Sequence, residues 1–325
     1  MKVVIVGGVA GGATAAARLR RLDEEAEIVI LERSGYVSYA NCGLPYYIGG
    51  TIQDKGVLTL QTPESFQARF RIDVRVQNEV LSIQPEEHTV TVRRLGDGSE
   101  YTETYDKLIL SPGARAIRPP LPGIDLEGIF TLRTVEDTFR IRTFLERERP
   151  RSAVVVGGGF IGLEMAENLI HAGVHTTMIQ LDDQVLLPLD RDMAGEVHAY
   201  LRGEREPVPA DLVILAIGVA PESDLARRAG LTLGQKGSIS VDAHMRTSHP
   251  DIYAVGDAVE LTHTVTGQKA LVALAGPANR QGRIAADHIC GLDRSYSGAQ
   301  GSSILKLFGM TAGAPRPHPR GAGAD

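Results

Sequence analysis

The chain has 325 residues, room for about two domains with full cores. Apolar residues make up 43% and charged residues 23%, the balance of a globular protein, which excludes disorder as the main state. A net charge of −6 supplies no basic field for nucleic acid or an anionic membrane, and two cysteines, Cys42 and Cys290, exclude a disulfide framework or a four-cysteine zinc site.

From the start of the chain, Val3 to Val6 predicts a buried strand, Gly7, Gly8, Val9, Ala10, Gly11 and Gly12 a turn, and Ala13 to Leu22 a helix. A second strand, Glu27 to Leu31, closes on Glu32. Lys2 and the apolar run after it superficially resemble a secretory leader, but glycine pairs in mid-run would weaken a signal helix by about 1 kcal/mol each. Glu32 is placed for a ribose 2′-hydroxyl, with a solvated strand-end acid as the plain alternative. Farther on, Asp106 to Gly113 reads as a buried strand running into a turn.

The same grammar recurs at Ser152 to Gln180: a strand over Ala153 to Val156, then Gly157-x-Gly159-x-x-Gly162 with Phe160 and Ile161 between the glycines, a helix to His171, and a strand from Thr176 to Ile179. Such glycines allow a tight turn, close approach of a pyrophosphate to the backbone, and helix-on-strand packing, with the phosphates at the helix N-terminus. Asp211 to Gly218 repeats the closing strand and turn. Gln180 stands where the first copy has Glu32, Asp182 and Asp183 follow it, and no arginine waits for a 2′-phosphate, so NADH is favoured over NADPH.

Two such units, the second nested in the first, resemble the two-dinucleotide-binding-domain flavoproteins of the pyridine nucleotide-disulfide oxidoreductase family. Ser111-Pro112-Gly113 is similar to the family's linker turn, and Ile252 through Gly256-Asp257 to its second FAD motif, where the aspartate holds the ribityl chain. Gly276-Pro277 opens a helix whose positive end could face the flavin. The resemblance also implies cofactor contacts at Arg33, Val80 and Ala275. It implies an α/β fold of nested Rossmann-like units with parallel sheets. The FAD domain is expected at 1–115 and 239–300, the NAD(P) domain at 116–238, and a remnant of the interface domain with an irregular tail at 301–325.

Ser38-Tyr39-Ala40-Asn41-Cys42-Gly43-Leu44-Pro45 narrows the likeness to single-cysteine coenzyme A-disulfide reductases and their NADH oxidase-like relatives. Dithiol members carry a second cysteine where Ser38 stands. Cys42, in a polar glycine-bounded loop, is the candidate redox thiol, while Cys290 reads as a small apolar helix residue. Ala10 replaces the histidine that serves a sulfenic acid in related peroxidases, which favours disulfide exchange. Positions matching Thr14, Arg21, Ser38 and Asn41 contact coenzyme A in the reductases, and Arg18, Arg20 and Arg21 could pair with its phosphates. Their alternative is a solvated basic helix end. A family lysine is Phe70 here, beside Arg69 and Arg71. Nine histidines show no metal-binding spacing. His88, His171, His175 and His198 read as surface or packing residues.

Gly7 to Gly113 spans 106 residues but Gly157 to Gly218 only 61. After Gln180 the sequence predicts one helix, Asp190 to Arg202, and then the closing strand, which leaves no third strand in the second unit and bares its second strand. Ser302 to Thr311 begins a strand, and Ala312 to Asp325 cannot bury a core. The expectation is a reductase with a missing interface domain, which puts the family homodimer in doubt, in the cytoplasm, with no nucleic acid or membrane partner. The resemblance implies that hydride passes from NADH or NADPH through FAD to Cys42, which reduces coenzyme A disulfide. An NADH oxidase or polysulfide reductase using the same thiol, and a noncatalytic FAD-binding remnant, are the alternatives.

Overall fold

A computed structural model describes residues 1–182, 184–186 and 209–314. The helix expected at Asp190 to Arg202, Asp183, His198 and the tail beyond 314 lie outside the described residues. In chain order the elements are β1 (Lys2–Val6), α1 (Ala10–Leu22), β2 (Glu27–Glu32), α2 (Leu44–Ile48), α3 (Pro63–Phe70), β3 (Asp73–Val76), β4 (Asn78–Gln84), β5 (Thr89–Arg94), β6 (Glu100–Thr104), β7 (Lys107–Leu110), β8 (Ala114–Ala116) and β9 (Ile129–Thr131). Then come α4 (Val135–Glu148), β10 (Ser152–Val156), α5 (Phe160–His171), β11 (His175–Ile179), β12 (Leu212–Leu215), β13 (Val219–Pro221), α6 (Asp224–Arg228), β14 (Ile252–Ala254), β15 (Leu261–Thr262), β16 (Lys269–Ala270), α7 (Ala275–Ile289), β17 (Ser303–Leu307) and β18 (Met310–Ala314).

The chain forms two compact units. The first comprises Met1–Tyr39, Thr59–Arg115 and Ala220–Ala299, the second Ala40–Leu58, Ala116–Val219 and Gln300–Asp325. The loop that carries Cys42 therefore packs with the second unit.

In the first unit the parallel sheet runs β14-β7-β1-β2-β3. Its strands are apolar on both faces, as a parallel sheet covered on both sides requires. Val3, Ile5, Ile28, Ile30 and Ile109 bury toward α1 and α7, while Val4, Val6, Val29, Leu31, Leu108 and Leu110 bury on the other face with Val80, Ile83, Val90 and Val92 of the β4-β5-β6 meander. α1 and α7 pack closely because a side chain at Gly282 would run into the Gly11 carbonyl.

In the second unit the sheet runs β11-β10-β12-β9, all parallel. The repeat is exact in register: Val6 pairs with Leu31 and Leu110, and Val156 with Ile179 and Leu215. The first sheet continues past β2 to β3, whereas among the described residues β11 is an edge. α4 begins with a reciprocal Thr134/Asp137 capping box and ends at Arg149 in the left-handed conformation. β17 and β18 form an antiparallel hairpin whose Leu305 and Leu307 pack with Leu163, Val185 and Leu186. No helix among the described residues is long and apolar enough to cross a membrane.

Candidate functional site

Each unit builds its glycine turn with the same bonds. Gly7 N–H donates to the Leu31 carbonyl at 2.9 Å and Gly157 N–H to Ile179 at 2.8 Å, so each turn leaves its first strand bonded to the end of the second. Gly7 and Gly157 have φ of +97° and +108°, and a side chain at Gly12 or Gly162 would collide with the Gly7 or Gly157 carbonyl. These contacts bring the N-termini of α1 and α5 against the turns. The first turn lacks a central glycine, and Val9 occupies that point as the N-cap of α1 without a side-chain cap bond.

The acid positions are held in parallel too. Glu32 is 8% exposed and accepts from Gly8 N–H at 2.9 Å and Ser34 N–H at 2.8 Å. Gln180 accepts from Gly158 N–H at 2.7 Å, and its amide donates to the Gln184 carbonyl at 3.1 Å. The Ser111 hydroxyl accepts from Gly12 N–H at 3.0 Å, Gly113 has φ +73°, and Gly256 has φ +86° beside Asp257. Gln281, 1% exposed on α7, accepts from Gly256 N–H at 2.7 Å and fixes that turn. Sequence reasoning missed Gln281, whose signal was a buried amide one helix turn past the Gly276-Pro277 start. Ala275 is exposed at the α7 N-terminus, Arg33 meets Glu222 at 3.5 Å, and Val80 is 7% exposed in the core, leaving only its main chain for a ligand. In the second unit Gly159 and Gly218 are exposed, with Phe160 and Ile161 half-buried at the start of α5.

The basic triplet on α1 divides by partner. Arg20 donates to the carbonyls of Phe70, Asp23, Glu24 and Arg71, a structural role. Arg18 binds the buried Asp287 at 2.6 Å, and the Thr14 hydroxyl donates to Asn279 at 2.8 Å. Arg21 is exposed and lies 5.9 Å from the Phe70 ring centroid, with Arg69 at 5.5 Å from the same ring. Ser38 is held at φ +48°, its N–H donating to Gly8 and its carbonyl accepting from Leu60.

Within the second unit, Cys42 is exposed on a single turn, Asn41–Gly43, that runs into α2. Pro45 near the start of α2 presets its backbone. The Arg142 guanidinium donates to the Ile48 carbonyl at 3.0 Å, and the Asn168 side chain fills the space a Gly49 side chain would need. Asn41 Oδ1 is buried without a hydrogen-bond partner. The sequence suggested a stabilised thiolate. Instead, burial and then the Glu164 charge push the Cys42 thiol up. Glu164 itself is pushed up to about 7, by burial and then by Glu167. Sequence reasoning missed Glu164, although it lies two residues past Gly162 with Glu167 and Asn168 on the same helix face. Cys290 is half-buried, its thiol pushed up by burial.

The profile of the family described as pyridine nucleotide-disulphide oxidoreductase matches residues 1–206 and 194–282. The coenzyme A disulfide reductase of Staphylococcus aureus strain JH9 is 36% identical over 333 residues, covering 95% of this chain and 75% of its own. Among solved structures, reduced Bacillus anthracis CoADR-RHD superposes with a TM-score of 0.93 at 46% identity, and an NAD-dependent persulfide reductase from A. fulgidus with 0.91 at 38%. The matches cover 96% of this chain, which spans 61% and 63% of those two. A water-forming NADH oxidase from Lactobacillus brevis, bound to NADH, gives 0.88 at 29% identity, covering 95% of this chain and 73% of its own.

Proposed function

The chain belongs to the pyridine nucleotide-disulphide oxidoreductases, and from that premise we propose that it is an FAD-dependent oxidoreductase that reduces coenzyme A disulfide at the expense of NADH or NADPH, with Cys42 as its redox thiol. The observation that carries the reading is the exposed Cys42, presented on a short turn in a chain with two dinucleotide cradles built on identical register.

The residues fit the cofactors. Gly7, Gly8, Val9, Ala10, Gly11 and Gly12 with Ser111 and Gly113 would cradle the FAD pyrophosphate, Glu32 and Arg33 its adenosine end, and Gly256, Asp257 and Ala275 its ribityl and isoalloxazine parts. Glu32 is oriented at the end of β2 by the Gly8 and Ser34 N–H groups, each bonded to one of its carboxylate oxygens. Gly157, Gly159, Phe160, Ile161, Gly162, Gln180 and Gly218 would hold the nicotinamide nucleotide. When bound, FAD supplies two-electron transfer between a reduced nicotinamide and a disulfide.

The rest falls to the chain. Cys42 attacks one sulfur of the disulfide, and Asn41, with a buried oxygen lacking a partner, is placed to orient a substrate donor. Thr14, Arg21 and Ser38 would bind coenzyme A, with Arg21 the best phosphate partner because Arg18 is already paired to Asp287. Ala10, at the position of the peroxidase histidine, supports disulfide exchange over peroxide chemistry.

The test is anaerobic titration of the purified protein with NADH and with NADPH, followed by coenzyme A disulfide. Flavin bleaching by the nicotinamide and recovery with release of two thiols per disulfide are expected. Recovery only with persulfide or with oxygen would reassign the acceptor, and protein that neither binds FAD nor bleaches would overturn the reading.

A further inference from the structure

In the first unit, helix α7 is tied to α1 near both of its ends and in its middle. The Thr14 hydroxyl donates to Asn279 at 2.8 Å, Arg18 donates to the buried Asp287 at 2.6 Å, and between these two a side chain at Gly282 would run into the Gly11 carbonyl. That close approach sets the depth of α7 over the first glycine turn, because packed backbone does not give way. Gln281, the residue before Gly282, is 1% exposed and accepts from the Gly256 N–H at 2.7 Å.

The Gly256 turn needs such a hold. The Val255 N–H still donates to the Leu110 carbonyl at 2.8 Å, in line with the sheet, but Gly256 turns away at φ +86°, directly before Asp257. Ser111 stands behind it. A side chain on Gly256 would come within 3.6 Å of the Ser111 hydroxyl oxygen, and one on Gly11 would meet that oxygen and the Val255 side chain, both at 2.9 Å. The same hydroxyl accepts from the Gly12 N–H at 3.0 Å, in the first turn of a helix whose N-cap, Val9, makes no side-chain cap bond. Three segments far apart in sequence, at 7–12, 110–113 and 255–257, thus meet beside one helix.

We propose that Gln281 is a positioning residue of the flavin site, which fixes the Gly256 turn to α7 and so sets where Asp257 stands relative to the first glycine turn. This rests on reading Gly256 and Asp257 as flavin contacts. Adjacent residues of one helix then gauge both turns, Gly282 against Gly11 and Gln281 against Gly256. A site spaced in this way by the protein itself loses little conformational freedom when its ligand arrives. Without the Gln281 oxygen, the Gly256 N–H is a stranded donor that must turn toward another acceptor, and a glycine has the backbone freedom to do so. Asp257, the next residue, is carried with it.

The test titrates flavin-stripped protein with FAD, following the quenching of flavin fluorescence and the shape of the bound flavin's absorption band. Gln281→Met, which keeps the length of the side chain but not its acceptor, should bind FAD about tenfold more weakly and give a less resolved band. Gln281→Glu, titrated at mildly acid pH so that its buried carboxyl stays protonated, offers an oxygen to the same N–H and should recover most of the affinity. Asp287→Asn shows what a general loosening of α7 does: it should lower the melting temperature of the apoprotein and leave FAD affinity near that of the parent. A purely structural role for Gln281 would lower affinity only in step with melting temperature, and Asp287→Asn would repeat it. Gln281→Met protein with the parent's affinity and band, or Gln281→Glu protein that recovers neither, overturns the proposal. Asp257→Ala is titrated alongside. Parent affinity in that variant overturns the assignment of the turn to the flavin, whereas a loss there with Gln281→Met unchanged overturns the role of Gln281 alone.

Discussion

Gly158 donates its backbone N–H to the Gln180 side-chain oxygen at 2.7 Å, at the point where Gly8 donates to the Glu32 carboxylate at 2.9 Å in the other unit. One geometry thus serves two chemistries. The carboxylate adds a negative charge at the end of β2, whereas the amide adds none and donates to the Gln184 carbonyl.

Gln180→Glu is therefore expected to keep the Gly158 bond and to place a negative charge where a 2′-phosphate would lie. NADPH binding should weaken by roughly tenfold, about 1.4 kcal/mol, with NADH little changed. Fluorescence titration with both nucleotides measures it. Equal effects on the two would remove residue 180 from the ribose end of the site.

Gly162→Ala tests the second cradle separately from the first. The added methyl meets the Gly157 carbonyl, a rigid backbone atom, so the turn or the start of α5 must shift, at a cost of about 1–3 kcal/mol. Nicotinamide binding should fall sharply while FAD content stays at the parent level. Parallel loss of both would show that the two cradles do not act independently.

Asp257→Ala addresses the flavin. In the proposed flavin site Asp257 accepts from the ribityl chain, and losing that charge-assisted hydrogen bond should cost ~1.5–3 kcal/mol of FAD affinity. Flavin retention after gel filtration should drop, and Asp257→Asn should fall between. Unchanged retention would confine Asp257 to its turn.

The far end of α7 has a pH signature of its own. His288 stacks on His244 at 4.5 Å between ring centres, and the Tyr253 hydroxyl meets its Nδ1 at 2.8 Å. Burial, then His244 and Arg246, push His288 below its ordinary value of 6.5, against weaker pulls from Asp242 and Asp293. The unfolded chain then binds a proton more readily than the folded one between the folded value and 6.5. Stability should fall as pH drops through that window, and His288→Gln should flatten the fall in melting temperature. A parent curve with no slope there would contradict it.

The glycine turns and the acid at the end of β2 were legible because each is a local consequence of strand length, spacing and backbone conformation. Val80, Arg18 and Arg20 were less so. Their side chains are taken up by the core, by Asp287 and by carbonyls of distant segments, which no local pattern encodes. Glu164 was hidden for a related reason: its environment depends on how residues 40–58 fold back onto α5. The loop signalled its chemistry, but the partner helix did not.

Cys42→Ser is the decisive substitution for the assigned reaction. A serine oxygen in this setting does not ionise near neutral pH and forms no disulfide, so turnover of coenzyme A disulfide should vanish. The glycine cradles are untouched, so FAD binding and bleaching by NADH should persist. Cys290→Ser should be nearly silent, because that thiol is half-buried at the end of α7, pushed up by burial and then by Asp23 and Asp287. Thiol release and flavin absorbance, followed on the same samples, separate the two steps. Disulfide turnover that survives Cys42→Ser would mean that the substrate is reduced without a protein thiol. Loss of bleaching in the same variant would instead place Cys42 in cofactor binding.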